Sequence, residues 1–321
     1  MFSFLYWLDL KLKVAIVRFF HALIQKVQNL RSGSLPEWRL AYPRRTREYS
    51  IPSESTPDFP ITIRVWDPPD AAPGQPRGVH INFHGSGYVL PDLGNDSDFC
   101  ELLASKLHIT VLDCDYAKAP EHPFPHAYKQ VIEVIYHVLG QPDLYHRNQI
   151  TFGGFSAGAG LTLCAAANES LVQENIRAIV AVYPPGDLSN PPGLPPPGPP
   201  GSTAPVLSPF VIDVFNRAYG YTRPGQPSTS LADPRISALR ADWTHWRGKS
   251  LVITGEYDNL LEGGKATAEK MERDGVDVKY YMIQDVGHAW DKRCRIGTWE
   301  HDKKMQAYEY VLDFLKPIHL G

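Results

Sequence analysis

From about residue 60 the chain alternates short, β-branched apolar runs with stretches of helical period, and few architectures accept that order. ITIRVWD, GVHINFHG, ITVLDCDY, QITFGGFS, IRAIVAVYPP and SLVITGEYD read as strands. HAYKQVIEVIYHVL, the run after Ser156, EGGKATAEKMERDG and KKMQAYEYVLDFL read as helices. Several strands are apolar at successive positions, the pattern of strands buried on both faces. Helices must then cover both sides of a mostly parallel sheet, so the expected class is α/β. With 321 residues, 43% hydrophobic and 21% charged, the chain can build one large domain with an insertion, or two smaller ones.

Two segments break the rhythm. The opening MFSFLYWLDLKLKVAIVRFFHALIQKVQNL carries Leu5, Leu8, Leu12, Ile16, Phe19, Leu23, Val27 and Leu30 at spacings of three and four, which predicts an amphipathic helix. Asp9, Lys11, Lys13 and Arg18 interrupt it too often for a membrane span of about 20 apolar residues. Two roles suit such a helix: a lid whose apolar face packs on the main domain, or an interfacial helix whose FSFLYWL end dips into lipid. The second break runs from Pro185 to about Lys249, where NPPGLPPPGPPGSTAP precedes a helix starting at SPFVIDVF with Ser208 as N-cap and Pro209 at its first position. The proline run reads as a stiff surface connection. The expected organisation is an N-terminal cap region over 1–50, a catalytic core over 51–185 and 249–321, and an inserted cap over 186–248.

A formal net charge of -3 offers no basic stripe for phosphate backbones, which argues against a nucleic-acid partner. Cys100, Cys114, Cys164 and Cys294 lack metal or redox spacing and read as buried free thiols of a reducing compartment. No secretory signal pattern precedes the sequons at Asn95 and Asn168, so the expected location is intracellular and cytoplasmic, with peripheral membrane contact through residues 1–30 as an added possibility.

The strand QITFGGF turns into the helical run SAGAGLTLCAAANESL at Ser156. A sharp strand-to-helix turn strains the serine backbone, and side chains at Gly154 and Gly158 would collide with neighbouring backbone. The amide of Ala157, at the helix N-terminus, then faces the place where an oxyanion would form. A serine hydroxyl needs a base, and the base needs an orienting group. Asp258 follows the strand in ITGEYD, and His288 lies in DVGHAW after the strand-like VKYYMIQ; Glu262, Asp285 and Asp291 are competing carboxylates. After GVHINF comes HGSGY, where His84, Gly85, Ser86 and Gly87 form a turn whose amides can converge on one point.

HGSG, GFSAG, DCDYAKAPEHPFP and GEYDNLLEGG together resemble the hormone-sensitive-lipase-like, or α/β-hydrolase-3, family from about residue 60 onward. The resemblance implies an α/β-hydrolase fold with a helical cap built from the N-terminal segment and the insertion. It also implies a serine esterase with Ser156, Asp258 and His288 as triad and Ser86, Gly87 and Ala157 as oxyanion donors. Tyr116, Pro120 and Glu121 would be scaffold. No metal or organic cofactor is expected, and the expected ligand is a small or medium-sized ester. A thioester, a lactone, or transfer to an alcohol would use the same groups, and a receptor without catalysis is the alternative from another class. Phe155 departs from the family, which has aspartate or threonine before the nucleophile, and SAGAG and HGSG replace SAGG and HGGG.

Overall fold

The computed structural model describes residues 2–31, 46–69, 74–190, 192–194, 207–222, 228–292 and 294–321. A helix α1 (Phe2–Arg31) precedes the strands β1 (Thr46–Ile51), β2 (Ile61–Trp66) and β3 (Arg77–Phe83). Then come α2 (Ser97–Leu107), β4 (Thr110–Cys114), α3 (His126–Leu139), β5 (Tyr145–Phe155), α4 (Ala157–Asn168), α5 (Ser170–Asn175) and β6 (Ala178–Val182). The rest comprises α6 (Pro209–Tyr219), β7 (Lys249–Gly255), α7 (Leu261–Arg273), β8 (Val278–Ile283) and α8 (Trp299–His319). Most of the proline-rich connection, residue 191 and residues 195–206, lies outside the described residues.

The strands form one sheet of order β1-β2-β4-β3-β5-β6-β7-β8. β2 is antiparallel to both β1 and β4, and every pair from β4 to β8 is parallel. The sheet is the expected mostly parallel one. Every residue of β4 and β6 is buried, as strands covered by helices on both faces must be. The sequence pattern missed β1, whose TREYSI is polar because it is an edge strand, and also α2. Cys100, Cys114 and Cys164 are buried free thiols as expected, but Cys294 is only partly buried.

The first helix forms where its periodicity predicts, yet it packs on a different face. At 100° per residue, Leu5, Leu8, Leu12, Ile16, Phe19 and Leu23 fall on one side, and all are between 43% and 65% exposed. The side against the protein is centred on Leu10 and Val14, buried among Val89, Val214, Phe215 and Ala218. Arg18 fixes this orientation by donating to the carbonyls of Val89 and Ala119 and to Glu121, 2.9–3.0 Å away, and Lys11 adds an ion pair to Glu121 at 3.4 Å. The expectation that the apolar stripe covers the main domain is therefore corrected: polar anchors choose the docked face, and the stripe points outward. No helix among the described residues is long and apolar enough to cross a membrane.

The C-terminal end of α8 is held to the sheet through His319, whose Nε2 lies 3.0 Å from Thr151 Oγ1, itself 3.0 Å from His80 Nδ1. Burial holds both imidazoles neutral, pushing His80 down to about 3, with the neighbouring His319 adding to the effect, and His319 down to about 4. In the unfolded chain both titrate near about 6.5. Between those values the unfolded state binds more protons, so stability is complete above the window and is lost as pH falls through it. Asp113, pushed up to about 6 by burial and by Asp96, acts in the opposite sense, so a variant is needed to isolate the histidine. His319→Gln should lose less stability than the native chain between pH 6.5 and 4 in urea titrations, by on the order of 3 kcal/mol. Equal losses would mean that His319 protonates in the folded state without penalty.

Candidate active site

Ser156 sits at the C-terminal ends of the parallel strands, where β5 hands over to α4. Its backbone has φ 49° and ψ -118°, a region a side-chain-bearing residue enters only when its surroundings force it. The forcing is visible in the glycines. A Cβ at Gly154 or Gly158 would run into the Phe83 carbonyl at the end of β3, so only glycine lets the elbow press against that strand. The Ser156 amide donates to Val182 of β6 at 2.9 Å. Although Ser156 is positioned as the N-cap of α4, its side chain makes no capping hydrogen bond. The hydroxyl meets His288 instead, with 3.1 Å between Oγ and Nε2.

His288 Nδ1 lies 2.9 and 3.0 Å from the two carboxylate oxygens of Asp258. Asp258 is 1% exposed and His288 6%, so the pair is shielded from water. The Leu260 amide donates to Asp258 Oδ1 at 2.8 Å and holds the carboxylate in place. The loops carrying the two residues are tied together by hydrogen bonds from the Glu256 amide to the Ile283 carbonyl and from the Tyr257 amide to Val286. The competing carboxylates lie elsewhere. Glu262 is exposed on the first turn of α7, Asp285 is exposed with its amide bonded to Glu256, and Asp291 is committed to other partners.

The HGSG turn approaches the serine from β3. Gly87 adopts φ +57°, and a Cβ there would penetrate the Phe215 ring. Tyr116 Oη donates to the His84 carbonyl at 2.7 Å, so the 2.6 Å contact between Tyr116 Oη and Ser86 Oγ uses the serine proton. Ser86 Oγ also accepts from the Tyr88 amide at 2.9 Å. This hydroxyl is thereby occupied in shaping the loop. The Ser86 carbonyl accepts from Val89 and Leu90, whereas among the described residues no backbone carbonyl accepts from the amides of Ser86, Gly87 or Ala157. Ser86, Gly87, Ala157 and Ser156 line a cavity of about 600 Å³, which is also lined by Ile16, Phe20 and Ile24 of α1 and Phe210, Val211 and Phe215 of α6.

His84, also in the motif, is 0% exposed and serves the base of the turn: its Nε2 lies 3.0 Å from Asp115, and its Nδ1 3.1 Å from the Gly85 carbonyl. A Cβ at Gly85 would sit 3.3 Å from the Phe155 carbonyl oxygen and 3.4 Å from Ser156 Cβ. Burial alone would raise the Asp115 carboxyl, but the hydrogen bond from His84 and the Lys118 ammonium hold it well below the usual range. Burial pushes Lys118 down to about 8 despite the opposing pull of Asp115 at 2.5 Å.

A second buried network, absent from the sequence reading apart from Asp291 as a competitor, supports the histidine from behind. The Tyr183 ring packs edge-on against His288 with centroids 4.8 Å apart, and its hydroxyl donates to Asp291 at 2.8 Å. Tyr308 donates to the other Asp291 oxygen, and Lys292 bridges Asp291 and Asp96 at 2.7 Å each. The Lys292 ammonium also lies 3.4 Å from the centre of the Phe155 ring. Burial by itself would lower this lysine, yet Asp291 and Asp96 raise it above its ordinary value, and Lys292 in turn lowers Asp291. No short motif announces such a set, because its members come from the residue before α2, the ends of β5 and β6, the loop after β8, and α8. Among the described residues no group of three or more His, Cys, Asp or Glu could hold a metal ion.

Removing one member of a buried charge set leaves the others uncompensated. Lys292→Met should therefore destabilise the fold by roughly 3–5 kcal/mol in urea titrations, and Tyr183→Phe, which keeps the ring and loses one bond to a charged acceptor, by roughly 1.5–3 kcal/mol. A Lys292→Met protein as stable as the native chain would contradict this account.

The family model described as the alpha/beta hydrolase fold, that of the α/β-hydrolase-3 group, matches residues 80–292. The chain is 24% identical over 292 residues to an arylesterase of Saccharolobus solfataricus, covering 84% of each chain. It is 24% identical to an ethyl acetate hydrolase of Pseudomonas putida, covering 74% of this chain and 73% of that one. Among solved structures it is similar to an esterase of Pyrobaculum calidifontis, with a TM-score of 0.77, 22% identity, and coverage of 96% of this chain and 94% of that one. The sheet order, the turn at Ser156 and the family match agree: the chain belongs to the alpha/beta hydrolase fold family, in its hormone-sensitive-lipase-like group.

Proposed function

We propose that Ser156, His288 and Asp258 act as nucleophile, base and orienting acid in the cleavage of a carboxylic ester. The chain is an esterase of the α/β-hydrolase type. The observation that carries the assignment of roles is the unbroken line Asp258–His288–Ser156, ending at a strained serine on the floor of an open cavity.

His288 Nε2 takes the proton as Ser156 Oγ adds to the ester carbonyl carbon. The carbonyl oxygen becomes an oxyanion beside the amides of Ser86, Gly87 and Ala157, which are already held in place and need no reorganisation. When the intermediate collapses, His288 returns the proton to the leaving alcohol. Water then repeats the sequence on the acyl-enzyme and restores Ser156. Asp258, accepting from His288 Nδ1, fixes the imidazole so that Nε2 faces the serine and stabilises its charged form. The cavity walls are largely apolar, which suits an ester with a small or medium-sized hydrocarbon part. The names of the relatives, arylesterase and ethyl acetate hydrolase, support the same class. In this reading residues 1–50 and 186–248 form the cap, and 51–185 with 249–321 the catalytic core.

Ser156→Ala should remain folded and lose roughly 10⁴-fold or more of its rate on p-nitrophenyl esters, and a fluorophosphonate should label the native chain at Ser156 once per molecule. Native turnover in the alanine variant, or labelling elsewhere, removes the assignment. Asp258→Asn should lower the rate by roughly 10⁴-fold while Glu262→Gln stays close to native, and the reverse order would move the acid to α7. A panel adding thioesters and lactones to the esters ranks the bond that is cleaved.

A further inference from the structure

Among the described residues nothing covers the outward stripe of α1, and its place relative to the cavity suggests what meets it. Leu5, Leu8, Leu12, Ile16, Phe19 and Leu23 run in one line for roughly 27 Å at about 1.5 Å per residue. All are exposed, on a convex ridge and not in a groove. Phe19 and Phe20 pack edge to face at 5.6 Å and widen the ridge toward the cavity. Ile16, Phe20 and Ile24 are each 44–55% exposed and also line the cavity that contains Ser156, with the exposed Phe210 of α6 on the same rim. The apolar ridge and the apolar mouth of the site thus form one surface.

Among the described residues of α1, three cations are paired. Lys11 and Arg18 pair with Glu121, and Lys13 pairs with Asp9 at 2.6 Å. Among the described residues the Glu121 pairs turn Lys11 and Arg18 toward the protein, while the side chains of Asp9 and Lys13 stay exposed as a charge-neutral pair beside the stripe and Lys26 is exposed near its end. Contiguous exposed apolar surface of this kind marks a contact site. A second copy or another protein lying along the ridge would cover the cavity rim. A lipid phase accepts a one-helix ridge without a complementary groove, and it can deliver an apolar ester to that rim.

We propose that the outward stripe of α1 rests on a lipid bilayer, bringing the cavity rim to its surface, and that the substrates are hydrophobic esters dissolved in the lipid. The substrate half rests on the esterase reading above, whereas the binding half does not. Because apolar burial supplies the attraction, binding should occur on neutral phosphatidylcholine vesicles and persist in high salt, with only a small gain from added phosphatidylglycerol.

The test uses the full chain and the variant Leu12→Gln/Phe19→Gln/Leu23→Gln, whose three positions lie on the ridge and do not line the cavity. In vesicle co-sedimentation the variant should lose affinity by roughly a hundredfold or more. Its rate on water-soluble p-nitrophenyl acetate should equal the native rate, while its rate on a long-chain ester carried in the vesicles falls with binding. Failure of both proteins to hydrolyse either ester, with binding intact, would overturn the esterase reading and the substrate half alone. No binding of the native chain to neutral vesicles, equal binding of the variant, or loss of binding in high salt would overturn the lipid surface. So would a native dimer in sedimentation velocity that the variant dissociates, which assigns the ridge to a second copy.

Discussion

The positive φ of Ser156 is the constraint around which the remaining site is arranged. It depends on two absent side chains: with a Cβ at Gly154 or Gly158 the elbow could not press against the carbonyl end of β3. Once it does, three consequences follow from one contact. The hydroxyl projects away from the helix it would otherwise cap, the Ala157 amide is left without a backbone acceptor among the described residues, and the HGSG turn leaving β3 arrives beside the serine. The parallel sheet adds the rest. In such sheets the strand ends on one edge gather the loops, so Asp258 after β7 and His288 after the neighbouring β8 meet although 30 residues apart.

Much of this was legible in the sequence because the signals are local. Glycine around a serine at a strand-to-helix boundary, a glycine-rich turn after a buried strand, and an acid then a histidine beyond the last two strands each leave a mark within a few residues. The edge strand β1 left none, since its residues face water on one side and alternate polar with partly buried ones. The support behind His288 left none either. Tyr183, Asp291, Lys292, Tyr308 and Asp96 are individually ordinary, and only the fold places one ammonium between two buried carboxylates.

Helix α1 illustrates a different limit. Periodicity correctly gave an apolar face, but it says which residues share a side and not which side touches the protein. That choice was made by Arg18 and Lys11, whose common partner Glu121 lies in the run following β4. The Arg18 guanidinium also takes the Val89 and Ala119 carbonyls, so the helix is docked by directed bonds around a modest apolar contact at Leu10 and Val14. Directional polar contacts can outweigh a longer apolar stripe when the receiving surface offers fixed acceptors and only a small apolar area.

One departure from the family pattern near the site follows charge balance. Phe155 stands where the family has aspartate or threonine. An aspartate there would place a third carboxylate around Lys292, which already has Asp96 and Asp291 at 2.7 Å. The phenyl ring instead offers its face to the ammonium without adding charge, and Phe99 stacks edge-on behind it at 4.9 Å. In DCDYAKAPE the cation is Lys118. Lys118 reaches back to Asp115 and to the Tyr116 carbonyl, over the Tyr116 ring at 3.6 Å. Asp115 in turn holds His84, and Tyr116 holds Ser86. Lys118 thereby secures, through Asp115 and Tyr116, the base of the turn that presents its amides to the cavity.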